Sequence, residues 1–164
     1  MKKSMVLFLC IILLLASSCS MSKSYGSKET PAPIGTAVTF QSKTSDDEPY
    51  IFSMTMKEVT RDEEAAKKFE LADDEEALFF TVEIELQEFE DKGSGGLLFS
   101  NMFFTYLDEN FEKYENSELQ LSELTLNEKL SAGDKITRTV VIDIPKDGQG
   151  YVTYLDRLHF KVSE

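Results

Sequence analysis

From Phe80 to Gln87 the chain changes polarity at every step. Phe80, Val82, Ile84 and Leu86 are apolar, and Thr81, Glu83, Glu85 and Gln87 between them are polar. Successive side chains of an extended strand point to opposite faces, so this order makes one greasy face and one wet face. It commits the middle of the chain to an antiparallel strand buried on one side. The pattern recurs: Phe52, Met54 and Met56 alternate with Ser53, Thr55 and Lys57, and Val140, Ile142 and Ile144 alternate with Val141 and Asp143 until Pro145 stops the run. Leu158, Phe160 and Val162 face one way, with His159 and Lys161 facing the other. A fifth, aromatic-rich candidate over residues 103–107 ends on the turn-prone Asp108-Glu109-Asn110. Short strands punctuated by turns predict an all-β antiparallel sandwich.

The connections agree with that class. Gly133 suits a positive φ in Ala132-Gly133-Asp134-Lys135, and Lys146-Asp147-Gly148-Gln149-Gly150 separates the strand ending at Pro145 from the one over residues 151–154. Lys92-Gly93-Ser94-Gly95-Gly96 reads as a mobile loop. Residues 61–77 break the alternation. There Asp62, Glu63 and Glu64 precede Lys67 and Lys68, so Glu63 to Lys67 and Glu64 to Lys68 are helix-stabilising pairs four apart. They predict a short surface helix or an acidic loop between two strands. Leu119, Leu121, Leu124, Leu126 and Leu130 fit either an edge strand or a segment that caps the core.

The other end of the argument is the start of the chain. Lys2 and Lys3 precede a 12-residue apolar run over residues 5–16, then Ala16-Ser17-Ser18-Cys19. A membrane-spanning helix needs about 20 apolar residues, so the run fits a secretory signal over residues 1–18. Cys19 after Ala-Ser-Ser resembles the bacterial lipobox. That resemblance implies a diacylglyceryl group on the Cys19 thiol and a palmitate-bearing N-terminus there, with the protein held to the extracytoplasmic face of the cell membrane. Each buried methylene contributes about 0.8 kcal/mol, so two or more chains anchor stably. Cys10 would leave with the signal and Cys19 is taken by lipid, so the mature body has no thiol and no disulfide. Residues 19–33, polar after the anchor cysteine, read as a flexible tether, and residues 34–164 as one domain large enough to fold by packing alone.

Charge and chemistry narrow the function. The chain carries 17 basic and 30 acidic side chains, a formal charge of -13. Nucleic-acid affinity comes from Lys and Arg displacing counterions, so an acidic chain excludes that partner. The lone histidine, His159, reads as a solvated strand residue and not a general base. Gly93-Ser94-Gly95-Gly96 lacks the Gly-Lys-Ser/Thr ending of a phosphate loop. Asp46-Asp47-Glu48, Asp73-Asp74-Glu75-Glu76 and Asp108-Glu109 offer oxygen ligands for calcium but not the alternating spacing that wraps one ion, and read first as solvated loop charge. Phe99, Phe103, Phe104, Tyr106, Phe111 and Tyr114 fill a sandwich without tryptophan, or leave an apolar patch for a partner. No catalytic, cofactor or metal residue is assigned; the one site residue is Cys19.

A resemblance joins these pieces. Ile34-Gly35-Thr36-Ala37-Val38 opens the domain, residues 78–87 give a central strand, and Phe104-Thr105-Tyr106-Leu107-Asp108-Glu109-Asn110 runs into a turn. Leu130-Ser131-Ala132-Gly133-Asp134 then leads into Thr139-Val140-Val141-Ile142-Asp143-Ile144-Pro145. This order resembles the telokin-like, immunoglobulin-type domain of unknown function found in Gram-positive lipoproteins. It implies an immunoglobulin-like β-sandwich outside the cell and transfers no functional residue. The expected function is a lipid-anchored, non-catalytic binding module with a membrane contact through Cys19 and a protein or cell-envelope ligand. The alternatives are a calcium-responsive surface module using the acidic loops and, behind it, a carboxylate-dependent envelope hydrolase.

Overall fold

The structure is a computed structural model that describes residues 24–114 and 127–162. The signal segment, Cys19 and Leu119, Leu121, Leu124 and Leu126 lie outside the described residues. In chain order the elements are β1 (Ala37–Lys43), β2 (Pro49–Asp62), α1 (Glu63–Lys68), β3 (Glu75–Phe89), β4 (Leu97–Ser100) and a 3-10 turn (Asn101–Phe103). β5 (Phe104–Asp108), β6 (Asn127–Leu130), β7 (Lys135–Pro145), β8 (Gly150–Tyr154) and β9 (Leu158–Lys161) follow. Among the described residues no helix is long and apolar enough to cross a membrane.

The strands form an antiparallel β-sandwich. One sheet has the order β1-β2-β3-β7, the other β5-β8-β9, and β4 pairs with β6 as a two-stranded flap. Taken in chain order, β2-β3-β7 and β5-β8-β9 are the A-B-E and C-F-G pairings of an immunoglobulin-type sandwich. β6 stands in the D position but pairs with β4 instead of β7. Each alternating run predicted from sequence is a strand, and its apolar side faces inward. Phe52, Met54 and Met56 of β2, Phe80, Val82, Ile84 and Leu86 of β3, and Val140, Ile142 and Ile144 of β7 are all buried. They pack on Phe104, Tyr106, Val152, Tyr154, Leu158 and Phe160 of the second sheet.

Rings do much of this packing. Tyr154 meets Phe52 edge-on at 5.7 Å and lies 4.9 Å from Phe104, 5.9 Å from Phe103 and 6.2 Å from Phe99. Each such pair contributes about 0.5–1.5 kcal/mol beyond its buried area. Burial, helped by Tyr50 nearby, pushes the Tyr154 hydroxyl well above the ordinary phenol range. Phe99, Phe104 and Tyr106 are therefore core, with Phe103 and Tyr114 packed against it. A domain without a disulfide is held by this aromatic network.

Three expectations need correction. Residues 24–33, read as tether, are docked on the domain. Ala32 bridges Phe160 in parallel, its amide donates to the His159 carbonyl at 2.8 Å, and the His159 amide donates to the Gly26 carbonyl at 2.9 Å. The segment satisfies the outer edge of β9, which would otherwise present unpaired backbone groups. The second correction concerns Val141, read as wet: it is buried with Ala77 under Phe69, Leu71 and Phe79, because the α1 connection folds over that part of the sheet. The third concerns Asp143, read as wet beside Val141 but fully buried. The loop after β3 has bonds of its own. Asp91 organises it: one carboxylate oxygen accepts the amides of Gly93 at 2.8 Å and Gly95 at 3.2 Å and the Ser94 hydroxyl at 3.1 Å. The α1 region matches one of the two expected forms, a single short helix. Asp62 accepts the Glu64 amide at 2.9 Å at its start.

The sandwich has two unlike ends. At the near end the β1-β2 loop, the β3-β4 loop, the 3-10 turn and the β8-β9 hairpin meet; Arg157 donates to the Ser42 hydroxyl at 2.9 Å, and the Leu155 amide donates to the Phe103 carbonyl at 2.8 Å. At the far end lie α1, the start of β3 and the β7-β8 connection. There Arg61 pairs with Glu76 and donates to the Gly148 carbonyl at 2.5 Å.

Candidate functional site

Along β2 the alternation slips once. The register with β3 shifts between Met56 and Glu58, so Met56 opposes Val82, Glu58 opposes Thr81 and Val59 opposes Phe80. Without that bulge Lys57 would oppose Thr81 and Glu58 would turn into the core. An extra residue in one strand re-aims everything after it. Here it sends Glu58, Thr60 and Asp62 outward together. They line an open depression of about 310 Å³ with Phe79 and Thr81 of β3 and Thr139 of β7.

The floor and rim have distinct chemistry. Phe79 is half-buried, giving an apolar platform, while Glu58, Thr60 and Thr139 are exposed around it. The Thr81 and Thr139 hydroxyls are 3.3 Å apart across the β3-β7 pair. Beyond them Glu83 sits between Lys135 at 3.2 Å and Lys57 at 3.3 Å. The Lys135 hydrogen bond first, and Lys57 after it, hold the Glu83 carboxyl below the usual glutamate range. Hydroxyls and carboxylates around one ring suit reversible hydrogen bonding and ring contact. Glu58 and Asp62 are four residues apart on an extended strand, so their Cα atoms stand about 13 Å apart.

The residues singled out from sequence fall elsewhere. His159 is not solvated. It is 7 % exposed, its Nδ1 makes no hydrogen bond, and the Phe111 ring stands edge-on to it at 6.0 Å. Phe111 in turn stacks on Tyr151 at 4.3 Å, with the Lys28 ammonium 4.9 Å from its centroid. The docked segment and Phe111 thus cover the face of β9 that alternation had marked as wet. Thr153, directly across from His159 on β8, is also buried with its hydroxyl unbonded.

The acidic clusters are separated and occupied by local structure. Glu48 is buried and accepts the Lys92 amide at 2.6 Å, tying the β1-β2 loop to the β3-β4 loop. Asp47 pairs with Lys43 at 2.7 Å, which holds its carboxyl low. Glu75 accepts the Tyr114 hydroxyl at 2.8 Å, and Asp108 accepts the amides of Asn110 and Glu112, each at 2.8 Å. Among the described residues no three His, Cys, Asp or Glu side chains form a group that would hold a metal ion. Cys19 lies outside the described residues.

The depression was missed because it joins residues of three strands that lie from 17 to 81 positions apart in the chain. One local signal pointed to it: Lys57-Glu58 puts two charged residues in succession within an alternating strand, the mark of a bulge. Comparison with protein-family models, curated proteins and solved structures finds no match to this chain.

Proposed function

We propose that this chain is a lipid-anchored lipoprotein of the extracytoplasmic face of the cell membrane, with Cys19 as the acylated residue. Its β-sandwich acts as a non-catalytic binding module that offers the outer face of the β2-β3-β7 sheet to a protein or cell-envelope ligand. The observation that carries the binding reading is the bulge-built depression, where hydroxyls and two carboxylates surround a half-buried ring. The lipobox-like Ala16-Ser17-Ser18-Cys19 carries the anchor. The resemblance of the sequence to telokin-like lipoprotein domains supports both, and the A-B-E and C-F-G pairings agree with the immunoglobulin-type architecture that the resemblance implies.

Two measurements test it. Cys19→Ala should release the protein from cells into the medium; palmitate labelling that persists in that variant would remove the anchor. A photo-crosslinking residue at Thr139 in the lipidated protein should capture an envelope component on intact cells, and Thr60→Arg should abolish the capture by filling the depression. Capture that is indifferent to Thr60→Arg would take the binding face away from this surface.

A further inference from the structure

Three of the four large apolar side chains that stand exposed among the described residues belong to the near end. Leu98 is 43 % exposed, Met102 52 % and Leu155 36 %. The Leu155 amide is bonded to Phe103, next to Met102, and Leu98 of β4 lines one small depression with Tyr154, the residue before Leu155. Leu155 is also in an unfavourable conformation. It and Asp156 both have φ +54 in the turn closed by the Arg157 amide on the Tyr154 carbonyl. Positive φ at both central positions favours Asn, Asp or Gly, and a leucine there is uncommon. Strain spent on exposing a greasy side chain is not explained by core packing.

The chain's path says what lies beside that surface. Ala32 runs parallel to Phe160, so the residues before it head back toward the start of β9, which is the hairpin. Gly26 is bonded to His159, one residue into β9. Gly26 is seven positions from Cys19, a reach of at most about 25 Å. β3 alone, with 15 residues, spans about 50 Å toward the far end. An acylated Cys19 therefore brings the near end closest to the bilayer.

We infer that Leu98, Met102 and Leu155 form a membrane-docking patch, by which the sandwich rests its near end in the headgroup region of the bilayer that holds its lipid. This rests on the proposed anchor at Cys19. The far end, with α1 and the β7-β8 connection, then faces away from the bilayer, and the depression at Glu58, Thr60 and Asp62 lies open for a ligand.

The test uses full-length lipidated protein in vesicles of phosphatidylethanolamine and phosphatidylglycerol bearing nitroxide-labelled acyl chains. On this reading no other free thiol exists, so Met102→Cys and Gln149→Cys each take one fluorophore, at the near and far end. The Met102 label should be quenched several-fold more by the lipid nitroxide and less by aqueous iodide than the Gln149 label. Leu155→Asn should raise the unfolding midpoint by about 3 °C, through relief of the turn, while weakening that quenching. Protein that fails to float with the vesicles overturns the anchor and the docking together. Protein that floats with both labels equally open to iodide overturns the docking alone. A Met102 label shielded from iodide without lipid quenching assigns the patch to a second copy or another protein, and likewise overturns it.

Discussion

At the far end the sandwich is closed by charge, and at the near end by rings and aliphatic side chains. Arg61, Glu76 and the Asp147 amide lock β2, β3 and the β7-β8 connection together, with Tyr114 held on Glu75 beside them. The near end carries Tyr154 and its ring neighbours, and the apolar residues left over there stay exposed. Its one buried carboxylate, Glu48, satisfies a backbone amide. The difference teaches that the buried carboxylates Glu48 and Glu76 serve connections, while the exposed apolar surface has no connection to serve. On the docking reading, that surface meets the bilayer.

The largest effect should come at the far end. A Cβ at Gly150 would lie 2.1 Å from the Leu107 carbonyl oxygen and 2.8 Å from the Tyr106 hydroxyl. Neither can retreat, since Leu107 is paired with Tyr151 in the β5-β8 ladder. Gly150→Ala should cost about 3 kcal/mol or more and lower the thermal midpoint by roughly 6–12 °C. A midpoint within a degree of the parent would break the picture of a tightly closed far end.

Next come the two carboxylate locks, one at each end. Arg61→Ala leaves the mostly buried Glu76 with the Asp147 amide as its bonded partner here, and should cost about 2 kcal/mol, discounted because Arg61 is partly solvated. Glu48→Ala strands the Lys92 amide and should cost about 1–3 kcal/mol. Hydrogen exchange should accelerate at Asp147 and Gly148 in the first variant and at Lys92 in the second. The double variant should be additive within about 0.5 kcal/mol, because the sites share no partner. Strong coupling would mean that the ends are one cooperative lock.

The smallest effect at neutral pH, and the clearest in alkali, concerns the phenols. Burial raises the pKa of Tyr154 at the near end, and of Tyr106 and Tyr114 at the far end, with the Glu75 hydrogen bond adding to Tyr114. Folded values above the unfolded value of about 10 mean that their stabilisation is intact below pH 10 and lost as pH rises beyond it. Tyrosinate absorbance and circular dichroism should therefore change together for these residues above pH 10. Full ionisation with the fold intact would contradict the burial at both ends.

Much of the architecture was readable in one dimension. Phe80 through Gln87 alternate because a strand's faces alternate, and no distant residue is needed to see it. His159 shows where that reasoning stops. Alternation placed it correctly on the face away from the core, yet Phe111 and the segment around Gly26 bury that face from elsewhere in the chain. Val141 was misread for the same cause, since Phe69 and Leu71 arrive from the α1 connection. The depression was half legible: Lys57-Glu58 announced the bulge, but nothing near Thr139 announced its neighbours.

Strand identity, inward faces and the acid balance follow from residues close together in the chain, because backbone geometry acts locally. Which strand lies beside which, what covers β9, and where Leu155 is stranded in its turn follow only from the folded whole. Those contacts join residues tens of positions apart, and their energies exist only when every partner is in place.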